Sequence, residues 1–184
     1  MSILLLVEMK TSSDKNIVEI QLRRKIRSRV DVRSRCHLNL PAVTLVPPNL
    51  DDGTPFPTTY WLTCPLLVHR VSSLEAKGMV KVFDELIQQK GKLRTRWKKR
   101  QKTYEEERRL LQPSSQNIMP EGGVGGTKDH IKCLHAHLAD QLATGENPIG
   151  EAVWSLIGGF DCLVPCVKNN KTKIEFNPEW RNTW

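Results

Sequence analysis

Proline sets the first limit on this chain. Six prolines fall between Pro41 and Pro65. Each lacks a backbone N–H and pushes the residue before it out of the helical region, so no long helix runs through that stretch. Short strands fit between them. Residues 42–46 read as one, stopped by Pro47 and Pro48, and residues 58–63, rich in Thr, Tyr and Trp, read as another. Residues 49–57, with Asp51-Asp52-Gly53, form a turn-rich loop between them. An alternation over 30–33 adds a further strand, and Cys36-His37 opens a loop that ends at Pro41.

Helices are expected on both sides of this region. Ser12 or Ser13 can cap one that carries Ile17, Ile20 and Leu22 inward, while residues 1–10 read as a short strand or a disordered start. Pro65 suits a first helical position, and a helix over 65–77 would close at Gly78. A second runs from Met79 through the basic stretch to Leu110-Leu111, with Gly91 as its weak point. Trp97 is its one apolar anchor over 94–102, so that part is expected to project from the body. A loop over 112–127 leads to a helix over 129–143 and another over 148–157. The tail adds strand character around Ile174 and Phe176. The reading is an α+β, helix-rich single domain with a small β-sheet: an N-terminal extension or helix over 1–24, a core over 25–157 and a C-terminal tail over 158–184.

The chain has 184 residues, enough to bury a core unaided. Its longest early apolar run, Ile3 to Val7, is too short to span a bilayer and lacks the flanks of a secretory signal. The five cysteines are an odd count without such a signal, so reduced thiols and a cytoplasmic location are expected. The net charge of +8 is uneven. Arg23, Arg24, Lys25, Arg27, Arg29, Arg33 and Arg35 form one basic run, and Lys90, Lys92, Arg94, Arg96, Lys98, Lys99, Arg100 and Lys102 form another. Such runs either solvate a helix face or attract a polyanion such as RNA, DNA or polyphosphate.

The residues with the most chemistry are Cys133, His135 and His137. On a regular helix with Ile131, Leu134, Leu138 and Leu142 inward, Cys133 and His137 share a flank, and His135 points about 160° away from Cys133. Cys133 and His137 then supply half of a tetrahedral zinc or iron site, and Cys36 and Cys64 are candidates for the rest. His135 and His130 are left for a separate contact. Cys64, before Pro65, would feel the positive end of a helix dipole, which favours its thiolate, and a Cys64–His137 pair would make a thiol nucleophile with its base. Gly122, Gly123, Gly125 and Gly126 with Lys128 could cradle a phosphate or act as a hinge, although they match no nucleotide fingerprint.

Several motifs, taken in order, resemble a bacterial family of unknown function, the domain of unknown function numbered 501. They are Arg35-Cys36, Leu40-Pro41-Ala42-Val43, Asp52-Gly53-Thr54-Pro55-Phe56-Pro57-Thr58, Tyr60-Trp61-Leu62-Thr63-Cys64-Pro65, Leu74-Glu75-Ala76, Lys132-Cys133-Leu134-His135-Ala136-His137 and Asn147-Pro148-Ile149-Gly150. The resemblance covers about residues 25–153 and departs at His37, where the family usually has proline. It implies that Cys36, Cys64, Cys133, His135 and His137 belong to the family's motifs. It implies no reaction. The function classes open at this stage are a Cys/His metal-binding protein, a basic polyanion-binding module, and a thiol- or metal-dependent hydrolase or transferase acting on a phosphorylated small molecule.

Overall fold

The computed structural model describes residues 3–111, 120–170 and 173–182, with side chains from residue 13 onward. It is a helix-rich α+β fold. Helix α1 (Ile3–Leu22) leads into strands β1 (Asp31–Arg35), β2 (Pro41–Leu45) and β3 (Tyr60–Leu62). Helices α2 (Pro65–Ala76), α3 (Met79–Gln88) and α4 (Lys92–Leu110) follow, then α5 (Leu134–Thr144) and α6 (Pro148–Ile157). Strands β4 (Val167–Asn170) and β5 (Lys173–Phe176) close the order. The prolines punctuate the first half as expected. Part of the expected 112–127 loop, residues 112–119, lies outside the described residues.

Strands β1, β2 and β3 form an antiparallel meander, with Val43 opposite Leu62 and Thr44 opposite Trp61. Every residue of the central β2 is buried, as befits a strand covered on both faces. Helix α5 lies across β3 and pairs with α6. Leu66, Leu67, Val71, Leu134, Leu138, Ile149 and Val153 fill the space between them. A second two-stranded sheet, β4–β5, packs against α1.

Four expectations change. Helix α1 begins at Ile3, so Ser12 and Ser13 lie inside it, and over its residues 13–22 it buries Val18 and Gln21 rather than Ile17 and Ile20. The expected long central helix is two. It breaks around Gly91, whose φ of 157° and ψ of −176° fall outside helical space. Helix α4 does not project. It buries Trp97, Arg100, Gln101, Tyr104 and Arg108. The stems of long polar side chains cover apolar surface, and their heads find partners inside. Arg100 pairs with Asp140 and Glu107, both at 2.7 Å, and Arg108 donates to the carbonyls of Pro57 and Gly122.

Helix α5 starts later than its apolar periodicity implies. Ile131 is buried in line with Leu134 and Leu138, yet the chain there is not helical. Asp84 on α3 accepts the Ile131 N–H at 2.8 Å, and Gln88 donates to the Asp129 carbonyl at 2.8 Å. The Gln88 contact occupies a carbonyl that a helix starting at 129 would use, and both contacts tie the extended approach to α3. Cys133 is therefore the residue before the helix, with φ −150° and ψ 116°.

Candidate metal and thiol site

That one change of backbone rearranges the chemistry. An extended Cys133 does not obey the helical wheel, so its side chain is free to meet His135. Glu75, at the end of α2, completes the group. Ligand atoms of Glu75, Cys133 and His135 all lie within 4.8 Å of one another, and each residue is half-buried.

Glu75 is held by what it holds. Its Oε1 accepts the Leu134 N–H at 2.6 Å and lies 3.2 Å from His135 Nδ1. A carboxylate at the first turn of α5 satisfies an orphan amide and faces the positive end of the helix dipole. Cys133 caps nothing through its own side chain, so Glu75 takes the part usually played by a capping residue. The far nitrogen of His135 is fixed as well. Nε2 lies 3.1 Å from the Val68 carbonyl and 3.3 Å from Ser72 Oγ. Ser72 donates its own proton to Val68 O at 2.8 Å, so its oxygen is an acceptor toward His135.

Burial alone would lower the pKa of His135. The Cys133 thiol and the Glu75 carboxylate beside it outweigh that and raise it to about 9. Both ring nitrogens then carry protons and both have acceptors. Loss of the Nδ1 proton would leave a lone pair facing Cys133 and Glu75, with Nε2–H still on Val68. A histidine that binds a metal through one nitrogen is normally oriented in this way through the other.

The other sequence candidates lie elsewhere. His137 is 1% exposed, and its Nδ1 faces the Asn147 side chain at 3.0–3.2 Å. Its Nε2 has no hydrogen-bond partner among the described residues. Burial lowers its pKa to about 4. It does not pair with Cys64, whose thiol is buried. Burial raises that thiol to about 12, against smaller lowering effects from the Leu67 and Leu66 amides. The helix-terminus argument for a reactive Cys64 fails because desolvation outweighs it. Cys36 sits in the turn after β1, where its N–H bonds the Leu40 carbonyl at 2.9 Å. Cys36, Cys64, Cys133 and His137 thus do not form one ligand group among the described residues.

His130 bonds Asp84 at 3.1 Å and stands outside the Glu75 group. The glycine segment does not lead into a helix, because α5 begins only at Leu134. Three of its amides are already bonded within the fold: Gly123 N–H to Thr127 O, Gly126 N–H to Gly123 O, and Val124 N–H to Gln101 Oε1 on α4. Lys128 pairs with Glu121 at 2.8 Å. In the basic runs, Lys25, Arg27, Arg33 and Arg35 pair with Glu19, Asp52, Asp31 and Asp14, and Arg96 pairs with Glu151.

Sequence reasoning did not bring Glu75 or Ser72 to Cys133 and His135. A carboxylate near a helix end is common, and nothing in its spacing links it to a segment about sixty residues on.

Comparison with known proteins supplies a family and no activity. Residues 32–155 match the family described as Protein of unknown function (DUF501). Neither a curated protein nor a solved structure matches the chain. No helix among the described residues is long and apolar enough to cross a membrane.

Proposed function

The chain belongs to this family of proteins of unknown function, so its activity has to be argued from its site, and we propose that Glu75, Cys133 and His135 bind a divalent transition metal, zinc or iron. The observation that carries this reading is the convergence of a carboxylate, a thiol and an imidazole within 4.8 Å, with the imidazole oriented from behind by Val68. Ligands around a tetrahedral ion lie about 3.2–3.8 Å apart given metal–ligand distances near 2.0–2.3 Å. The 3.2 Å between His135 Nδ1 and Glu75 Oε1 fits that spacing. Mixed sulfur, nitrogen and oxygen donors suit zinc or ferrous iron over magnesium or calcium.

Three protein ligands leave a coordination position for water or substrate, as catalytic zinc sites do and closed structural sites do not. Bound there, the metal supplies Lewis acidity. The protein's share is to present the three donors, to hold the imidazole through Val68 and Ser72, and to release the His135 and Cys133 protons as the ion enters.

Elemental analysis of protein purified without chelator tests the reading, with about one equivalent expected. Cys133→Ala and His135→Ala each lose the metal, while Cys64→Ala keeps it. Less than about a tenth of an equivalent in wild type sinks the proposal.

The closeness of Cys133 and His135 also favours a second reading, in which the Cys133 sulfur is a nucleophile with His135 as its acid–base partner, oriented by Glu75. It predicts metal-free protein whose Cys133 is alkylated by iodoacetamide ahead of the other four cysteines near neutral pH. Equal labelling of all accessible thiols excludes it.

A further inference from the structure

The two basic runs fare differently in the fold. In the first, Lys25, Arg27, Arg33 and Arg35 are each paired with a carboxylate, and Arg23 and Arg24 lie over the rings of Phe176 and Trp61. The second run keeps charge to spare. Arg100 is buried, Arg96 pairs with Glu151 at 2.8 Å, and Lys102 lies 3.9 Å from Glu106. Lys90, Lys92, Lys98 and Lys99 are exposed and pair with no acid among the described residues. Arg94 donates to the Gln88 carbonyl.

Helix α4 gathers these cations on its outer side. With Trp97 inward at 0° and about 100° per residue, Lys92, Thr95, Lys99 and Lys102 fall between about 140° and 220°, and Lys98 falls near 100°. All five are exposed. On the helix itself, the first acid on that face is Glu106, one turn beyond Lys102. Neighbouring acids stand to the flanks. Glu146 and Glu151 lie beside Arg96 and Lys99, and Glu105 and Asp129 lie beside Lys98 and Lys102. Glu151 is taken by Arg96 and Glu105 by Arg109.

This placement works against the helix. Its first turn holds no acid, and Lys92, Arg94 and Arg96 occupy the end where the dipole repels cations. Lys92 and Arg96, and likewise Lys98 and Lys102, stand four apart with like charge. A partner carrying fixed negative charge relieves both repulsions.

Shape narrows the partner. The aromatic side chains of α4, Trp97 and Tyr104, are 2% and 1% exposed, so the face offers no platform on which an unpaired base could stack. Between Lys92 and Glu106 the outer face carries no apolar side chain to insert among lipids. Lysines meet phosphate as point charges. A row of them about 15 Å long on a rigid helix meets a stiff duplex without having to order it, as it would a single strand or polyphosphate.

We propose that the outer face of α4 binds the phosphate backbone of a nucleic-acid duplex, without regard to base sequence, through Lys92, Lys98, Lys99 and Lys102. Fluorescence anisotropy of the full chain in EDTA, with labelled DNA and RNA duplexes of about 20 base pairs and unrelated sequences, tests this apart from the metal. At least one duplex type binds with micromolar affinity at about 50 mM salt, equally for different sequences. Four neutralised phosphates give a slope of log affinity on log salt of about −3.6. The Lys98→Gln, Lys99→Gln double variant binds about tenfold more weakly or worse, and its slope moves about two closer to zero. Lys92→Glu separates binding from folding. It weakens the duplex, yet it raises the melting temperature of the free protein by about 1–4 °C, because an acid in the first turn suits the dipole. Arg33→Gln, in the paired run, leaves affinity within about twofold.

The proposal is overturned if no duplex binds by about 100 µM at that salt, or if the double variant binds like wild type. It is equally overturned if a single strand of the same length, long-chain polyphosphate or a phosphatidylserine vesicle binds more tightly than every duplex.

Discussion

His135 and His137 stand two positions apart on one helix and titrate in opposite directions. The pKa of His135 is raised to about 9 by its neighbours, and that of His137 is lowered to about 4 by burial. The signs follow from linkage. His135 binds its proton more tightly folded than unfolded, so its contribution is complete below about pH 6.5 and is lost as pH rises toward 9. His137 is neutral in the fold and charges on unfolding, so stability present above about pH 6.5 is lost as pH falls toward 4. Metal-free protein in EDTA is expected to melt highest between the two windows. A His135→Gln variant flattens the alkaline arm, by roughly 2 kcal/mol at most, and leaves the acid arm in place. Thermal melts across pH 4–9 check this, and an unchanged alkaline arm in the variant refutes it. The sequence marks both histidines and Cys133 as worth attention. It pairs Cys133 with His137, whereas the structure brings Cys133 to His135, because the grouping rests on a single φ/ψ pair at Cys133.

Among the elements, the α5–α6 pair is held by a cap and by one close backbone approach. Asn147 Oδ1 accepts the Ile149 and Gly150 amides at 3.0 and 2.9 Å, which caps α6, while Nδ2 donates to Asp140 at 2.8 Å. Asn147→Ala removes the cap and one donor to the buried Asp140 carboxylate, which keeps Arg100, at a cost of about 2–3 kcal/mol in urea denaturation. Gly150 lets the helices touch. A Cβ there would lie 2.2 Å from the His137 carbonyl oxygen, which is backbone and cannot swing aside. Gly150→Ala is expected to cost more than about 2 kcal/mol, and a variant as stable as wild type would show that the pair can slide. The element boundaries that carry caps or prolines, at Pro65 and Asn147, are legible in the sequence. The start of α5 is not. Its apolar periodicity continues through Ile131, and a carboxylate from α3, far away in the chain, overrides it.

Across the whole molecule, the charge of +8 divides into inner and outer parts. Arg70, Arg100 and Arg108 are buried, each with partners of a different kind. Arg70 closes the end of α6 by donating to the carbonyls of Ile157 and Gly159, both at 2.9 Å, and pairs with Asp161. Arg100 joins α4 to α5 through Asp140, which is fully buried. Asp140→Ala leaves a buried guanidinium with only Glu107, and a loss of about 3 kcal/mol is expected. Pairing it with Arg100→Met restores part of that loss, whereas strict additivity of the two changes in denaturation midpoints would refute the coupling. A sequence displays a basic run without saying which members face inward, since burial of an arginine depends on acceptors contributed from remote segments.

One side chain joins the two flanks of the family-matched core. Gln21, from before residue 32, grips Pro41 within the match and reaches Cys166 beyond residue 155. The N-terminal helix and the C-terminal hairpin thereby behave as a single accessory, and removing either exposes the seat of the other. A cleft lined by Gln21 takes Arg23, Phe176, Trp180 and Asn182 from those flanks, and Pro65, Val68, His69 and Ser72 from the core. Relatives that share the core but differ at both ends would keep the Glu75–Cys133–His135 group and lose this cleft.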